Sequence, residues 1–131
     1  MGNVSHILED PMKYLCLIYE AEKDYTSMSE AEMEALMGEY YAFTAGIKAS
    51  GQYLSGEALK PVNTATTVRV RSGKVSTTDG PFAETKEQLG GFYMIEARDL
   101  NDAIQVAAKI PGARTGCVEI RPVEVFDAPA G

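Results

Sequence analysis

The side chains that could carry chemistry are concentrated in a turn-rich stretch, residues 78–92. Asp79 precedes Gly80-Pro81, where the chain must bend because glycine accepts unusual backbone angles and proline fixes φ. Phe82 and Phe92 could anchor the two ends of this bend to a core. Asp79 would then act as a general acid or base in a cleft. The competing interpretation is an ordinary turn in which its carboxylate accepts a backbone N–H.

Three charged residues near this bend or in the strand-like segment that precedes the hairpin are further candidates for substrate binding: Lys86, Glu84 and Glu57. Lys86 could pair with a substrate anion, and Glu84 lies beside it, although both also suit a solvated face. Glu57 is near the end of a predicted strand, and it could join Asp79 if the intervening segment folds back. We therefore include all three in the candidate site.

Two more candidates lie in predicted strands. Arg121 could clamp a ligand carboxylate through its planar guanidinium, or it could form a structural ladder with Glu119 on the same strand face. Tyr19 has the opposite strand parity to Tyr14, so at most one of the two lines a given face. Either tyrosine could also be a packed aromatic residue with a hydrogen-bonded hydroxyl.

Several classes of site are disfavoured by what the sequence lacks. The single histidine, His6, lies ahead of the first patterned segment, which disfavours a Ser-His-Asp triad, a Cys-His pair and a histidine zinc site. Glycine-rich nucleotide-binding patterns and a calcium loop are also missing. Asp79, Glu84 and Glu87 could hold a hard cation, but their spacing selects none. We expect neither a cofactor nor a metal.

Composition and charge indicate one soluble domain. The 131 residues are 45% hydrophobic and 24% charged, enough for one core and too few for two ordinary domains. The net charge of -7 would repel a phosphate backbone, so we expect no direct nucleic-acid binding. The apolar run at residues 15–19 is too short for a membrane span or a secretion signal. We expect a cytoplasmic protein in which Cys16 and Cys117 are reduced.

Two helices are predicted between strand-like segments. Ser29 and Glu32 have the spacing of a capping box, and apolar residues then recur at intervals of three and four as far as Gly51, a favourable residue just beyond a helix end. Asp99 is predicted to cap a second helix, which ends at Pro111. The strand-like segments span residues 13–19, 52–59, 91–97 and 117–126.

A β-hairpin is predicted at residues 66–78. Alternating residues on either side of Ser72-Gly73 fit two strands joined by a two-residue turn. The resulting register gives the hairpin two unlike faces, one with Val68, Val70 and Val75 and the other with Arg69, Arg71 and Lys74. Asp79 has the parity of the valine face.

The order of elements is β-α-β, hairpin, β-α-β. With right-handed crossovers this predicts an α+β fold, a ferredoxin-like antiparallel sheet of four strands with two helices on one face and an inserted β-hairpin. The other sheet face has no helix left to cover it, although apolar strand residues point there. We therefore expect a second subunit to cover it, as in a homodimer.

The run Asp79-Gly80-Pro81-Phe82, continued to Gly91, resembles the signature of the bacterial DGPF proteins, a branch of the YCII-related family. Met12-Lys13-Tyr14 and Val118-Glu119-Ile120-Arg121-Pro122 are similar to the two ends of that domain. The resemblance covers about Met12 to Phe126. It places a domain at residues 12–127, between a flexible arm at 1–11 and a tail at 128–131.

This resemblance implies a dimeric α+β barrel, in which two ferredoxin-like units pack sheet against sheet and leave a cleft. Because related barrels host small-molecule isomerases, lyases and monooxygenases, it also implies a cofactor-independent acid/base enzyme of isomerase or lyase type. Family members are often encoded beside, or fused to, alternative sigma factors. The alternative is thus a non-catalytic sensor or accessory protein of a sigma factor or other regulator.

Some YCII-related members pair a histidine with an aspartate in their site. This sequence lacks that histidine, so Asp79 is the residue left to represent the pair.

Overall fold

The computed structural model describes residues 11–126. In chain order its elements are β1 (Met12–Glu20), α1 (Lys23–Thr26), α2 (Glu30–Ala49), β2 (Tyr53–Ala58), β3 (Thr66–Arg71), β4 (Lys74–Asp79), β5 (Gln88–Ala97), α3 (Leu100–Ala107) and β6 (Cys117–Pro122). Short 3-10 turns span Val62–Thr64 and Pro111–Arg114. The predicted arm and tail lie outside the described residues, apart from the exposed Pro11.

The two larger helices begin where the sequence predicts. The Ser29 hydroxyl accepts the Glu32 N–H at 3.1 Å, and the Glu32 carboxylate accepts the Ser29 N–H at 2.9 Å, which completes the capping box of α2. Gly51 follows this helix with a φ of 79°, a left-handed angle that glycine adopts without strain. The Asp99 carboxylate caps α3 by accepting the Asp102 N–H at 2.8 Å. No helix within residues 11–126 is long and apolar enough to cross a membrane.

The main sheet has the predicted ferredoxin-like topology. β1 pairs antiparallel with both β5 and β6, and β5 pairs antiparallel with β2, so the strand order is β2-β5-β1-β6. β5 begins earlier than predicted, at Gln88, because its pairing with β1 continues past a bulge at Gly90 to reach Tyr19 and Glu20.

One face of this sheet packs against α2 and α3. The β1 residues on that face are buried, and they alternate along the strand as Tyr14, Cys16, Ile18 and Glu20. Phe43 and Ile47 of α2 and Ala103 of α3 belong to the same core cluster. Because fully burying a large apolar side chain contributes about 1.5–3 kcal/mol, this layer is the main apolar source of stability.

β3 and β4 form a separate two-stranded sheet. Arg71 pairs with Lys74 and Val70 with Val75, around a turn in which Ser72 and Gly73 have φ of 52° and 75°. Positive φ at both positions gives the turn type whose twist matches a hairpin, so the predicted register is confirmed. Every strand residue of the hairpin except Thr67 is exposed.

The prediction that Phe82 anchors the bend to a core is wrong for the single chain. Its side chain is 83% exposed, whereas Phe92 is half-buried in β5. Two hydrogen bonds fix the bend instead. The Gly80 N–H donates to the Ala65 carbonyl at 2.7 Å, and the Thr67 hydroxyl donates to the Gly80 carbonyl at 2.8 Å.

Candidate functional site

Within residues 11–126, nothing covers the sheet face opposite the helices. Strand pairing sets Leu17 of β1 beside Phe92 of β5, and Leu15 beside Met94. These four side chains are half-buried, neither sealed in a core nor fully in water. They form an apolar patch in the middle of the sheet, which we call the open face.

Three of the predicted site residues border the open face. Glu57 pairs with Phe92 from β2, and Arg121 pairs with Leu15 from β6. Since paired residues point to the same side of a sheet, both share this surface. Tyr19 shares it too, because it lies two residues beyond Leu17 in β1. Glu57 and Arg121 lie on opposite edge strands, which are about 14 Å apart across three strand spacings, and they are offset by two residues along the strand direction.

Arg121 also contacts the acid predicted to lie on its strand face. Its Nη1 is 3.4 Å from Oε2 of Glu119, and both side chains are largely exposed. An exposed ion pair of this kind contributes less than about 1 kcal/mol to stability. The guanidinium is therefore available to a ligand anion at little cost.

Asp79 ends β4 at the base of the hairpin. It pairs with Thr66 and is exposed, on the same hairpin face as the valines. The hydrogen bonds that close the bend run through Gly80 and Thr67 rather than through the Asp79 carboxylate. In the single chain, then, the partial enclosure expected for this carboxylate is missing.

Glu84 and Lys86 line a shallow cleft of about 250 Å³ in the loop after the hairpin. The Glu22 carboxylate on the same cleft accepts the Val62 N–H at 2.8 Å, which ties the segment before the hairpin to the end of β1. The Gln88 side-chain amide stabilises the loop by donating to the carbonyls of Ala83 and Thr85, each at 3.1 Å. This cleft unites the two predicted loop residues and includes none of the residues that border the open face.

A larger cleft, of about 520 Å³, lies on the helix side of the sheet. Phe43, Ile47 and Val106 supply apolar lining, and Arg114 lies beside it in an ion pair with Glu39. None of the predicted site residues lines this cleft.

A buried carboxylate at the end of β1 was not predicted as part of any site. Glu20 is 6% exposed, and it is the only buried charged residue among residues 11–126. The Tyr25 hydroxyl donates to its Oε1, and the Thr115 hydroxyl donates to its Oε2 at 2.7 Å. These donors replace the water that a carboxylate loses on burial.

Tyr40 and Gly112 complete this buried cluster. Burial, more than the neighbouring Glu20 charge, raises the pKa of Tyr40 to about 12, and burial also raises the pKa of Tyr25. Both phenols therefore stay protonated at neutral pH. A Cβ on Gly112 would lie 2.8 Å from Oε1 of Glu20 and 2.9 Å from the Tyr40 hydroxyl, so the site has room only for glycine. The cluster holds α1, α2 and the Pro111–Arg114 turn against the end of the sheet.

The strand pattern of β1 carries a signal for the burial of Glu20. Glu20 has the strand parity of Tyr14, Cys16 and Ile18, all of which are buried. A charged residue that continues a buried alternation must find hydrogen-bond partners. Pattern alone does not identify Thr115 as one of them, because it lies 95 positions away.

No group of three or more His, Cys, Asp or Glu side chains within the described part of the chain is arranged to hold a metal ion. The set Asp79, Glu84 and Glu87, considered above for a hard cation, is not brought together as a site.

The strand order and the uncovered sheet face define an α+β protein of ferredoxin-like topology. The model of the YCII-related domain matches residues 12–127. A protein of Rhizobium meliloti named as an uncharacterized protein is 35% identical over 117 residues, which cover 88% of this chain and 94% of that relative. The chain therefore belongs to the YCII-related domain family, as its Asp79–Phe82 run indicates.

Proposed function

We propose that the protein is a homodimer whose two open faces turn toward each other and enclose a cleft for a small molecule. The observation that carries this proposal is the patch of Leu15, Leu17, Phe92 and Met94 on the side of the sheet that no helix covers. Burying apolar surface contributes about 25 cal/mol per Å², so covering this patch stabilises a dimer.

Charges around the open face favour a second copy as its cover. Arg121 lies beside Glu119 on β6, and Lys13 pairs with Glu96 between β1 and β5. In a twofold arrangement the same surface faces itself, so each positive group can meet a negative one across the interface. The family resemblance leads to the same expectation of a dimeric barrel.

Within the cleft we propose cofactor-independent acid/base chemistry of isomerase or lyase type. Arg121 would hold an anionic group of the substrate, because a guanidinium group binds carboxylates strongly. Asp79 would accept or donate the proton. The other polar groups of the substrate would contact Tyr19 and Glu57. Glu84 and Lys86 line the separate loop cleft and would not contact this substrate.

The exposure of Asp79 and Phe82 favours a second candidate function. If both remain exposed in the dimer, they form a surface for another protein rather than part of a cleft. The protein would then be a non-catalytic sensor or accessory protein of a sigma factor or other regulator. The two functions are distinguished by what Asp79 contacts.

The test combines light scattering with a thermal-shift screen of small carboxylic acids. We expect a dimer and at least one acid that raises the melting temperature. Asp79→Asn should keep the melting temperature of the free protein and lose the shift, and Arg121→Met should lose it too. Arg98→Met, at a 76% exposed arginine outside the proposed site, is the matched control and should retain it.

Two results would contradict this proposal. A monomer at all concentrations removes the cleft. An Asp79→Asn protein that melts earlier but still responds to the acid makes Asp79 a turn residue only.

A further inference from the structure

We infer that the hairpin Thr66–Asp79 is an arm that reaches across to the partner subunit and closes the cleft there, so that each site is built from both chains. This inference rests on the proposed dimer and adds the element that completes its site. It also specifies the class of substrate that the site accepts.

The arm leaves an apolar side uncovered in the single chain. The strand register puts Val68, Val70 and Val75 on one face, and their side chains are 59%, 55% and 69% exposed. A two-stranded hairpin is marginally stable by itself and normally packs against another layer. Since no part of residues 11–126 buries the valines, that layer must come from elsewhere.

The base of the arm is fixed to the body, whereas its tip at Ser72-Gly73 is exposed. The Gly80 and Thr67 hydrogen bonds close the base, and Glu22 holds the Val62 N–H that precedes it. Six-residue strands extend about 20 Å, which exceeds the roughly 14 Å between the outer strands of the main sheet. An arm of this length can reach over the edge of a second copy's open face and close the cleft between the two faces.

Charge favours a second copy of this chain as the surface that receives the arm. The arm carries a single acid, Asp79, in a chain with 12 basic and 19 acidic residues. Its basic residues, on the side opposite the valines, are Arg69, Arg71 and Lys74. The arm is therefore positive and the body strongly negative, so the arm of one copy is attracted to the body of another.

Each completed cleft would have one polar boundary and one apolar wall. Tyr19, Glu57 and Arg121 of one chain supply the polar boundary, and the valines of the partner's arm supply the wall. Such a site selects a small amphipathic carboxylate, with its acid group on the guanidinium and its apolar part against the arm.

Cross-linking between two differently tagged, co-expressed chains tests this geometry without a ligand. One chain carries Val75→Cys and the other Leu17→Cys, both with Cys117→Ser. Cys16 remains in each because it is fully buried. Each chain then has one reactive thiol, so a bismaleimide product that carries both tags is an arm-to-face link between chains. We expect this product to form readily.

The matched control replaces Val75→Cys by Ser76→Cys, its neighbour on the opposite side of the arm. We expect several-fold less double-tagged product from this pair. The experiment is repeated with Met94→Cys in place of Leu17→Cys, so that a local effect of the Leu17 substitution cannot explain the result. If light scattering shows a dimer but the Val75→Cys pair gives no double-tagged product, or no more than the Ser76→Cys pair, the inference about the arm is wrong and the proposed function is unaffected. If the protein is a monomer, both the inference about the arm and the proposed function are wrong.

Discussion

The Thr115 hydroxyl donates a hydrogen bond to Oε2 of Glu20 at 2.7 Å, although the two residues are 95 positions apart in the chain. This bond joins the end of the central strand to the segment that precedes β6. Tyr25 donates to the other oxygen of the same carboxylate. The end of the sheet is thus held by one buried acid with donors from both sides.

Replacing that acid should destabilise the protein strongly. We expect Glu20→Leu to lower the free energy of unfolding by about 1–3 kcal/mol, because the half-buried Tyr25 hydroxyl loses its acceptor and the hydrogen bond from Thr115 is lost as well. Urea denaturation measures this loss. Glu34→Leu, at an exposed position of α2, is the control and should change stability by less than about 0.5 kcal/mol. A loss no larger at Glu20 than at Glu34 would show that the cluster is not needed for stability.

Two glycine substitutions should have opposite signs. A Cβ on Gly116 would collide with the Tyr19 carbonyl and lie 2.8 Å from Cγ of Glu20, so Gly116→Ala should cost about 2 kcal/mol or more. Gly38 lies inside α2 with nothing within 4 Å of its Cβ position, so Gly38→Ala should add about 0.5–1 kcal/mol. Melting temperatures of the two variants check this pair. A Gly116→Ala protein that melts no earlier than the unmodified protein would contradict the packing around Gly116, and a Gly38→Ala protein that melts earlier would contradict the open space at Gly38.

Stability should fall in the alkaline range, partly through Tyr40. Burial raises its pKa from 10.0 to about 12, so the folded protein binds the phenolic proton more tightly than the unfolded chain does. This contribution is complete below pH 10 and is lost as the pH rises toward 12. Partial exposure limits it to at most about 2 kcal/mol.

The comparison that isolates this effect is Tyr40→Phe. Between pH 10 and 12, its free energy of unfolding should decline less steeply than that of the unmodified protein. Both proteins lose stability through other groups, so the difference between the slopes is the measurement. Identical slopes would assign the alkaline transition to other groups.

The Cys16 thiol should be unreactive in the folded protein. Its side chain is 0% exposed, and burial raises its pKa to about 11, so little thiolate is present and none is accessible. In a Cys117→Ser background, we expect no thiol to react with a maleimide under native conditions and one to react in urea. Rapid native labelling of that variant would contradict the position of Cys16 under the helices.

The local elements could be predicted from sequence because their signals are short-range. The capping box at Ser29, the cap at Asp99 and the Ser72-Gly73 turn each depend on residues a few positions apart, and each is confirmed. The uncovered sheet face also followed from sequence, because two helices can cover only one side of a four-stranded sheet. The placement of Tyr14 and Tyr19 on opposite faces required only strand parity.

The exposure of Phe82 and the placement of the candidate site residues depend on contacts between distant residues, so only the tertiary structure decided them. Phe82 was predicted to be an anchor because it is large and apolar, but no core residue between residues 11 and 126 buries it, and it is exposed. Strand order put Glu57 and Arg121 at opposite edges of one surface, and left Glu84 and Lys86 in a separate cleft.

The sequence by itself determined the two larger helices, the strands apart from the early start of β5, the register of the hairpin and the family, since periodicity and caps act over a few residues. The short helix α1 was not predicted. Only the tertiary structure showed that Thr115 contacts Glu20 and that both faces of the hairpin are exposed. It also showed that the candidate site residues lie on two separate surfaces. The physical reason is that a buried acid and an uncovered face are defined by what the rest of the chain places against them. That placement depends on contacts between residues far apart in the sequence.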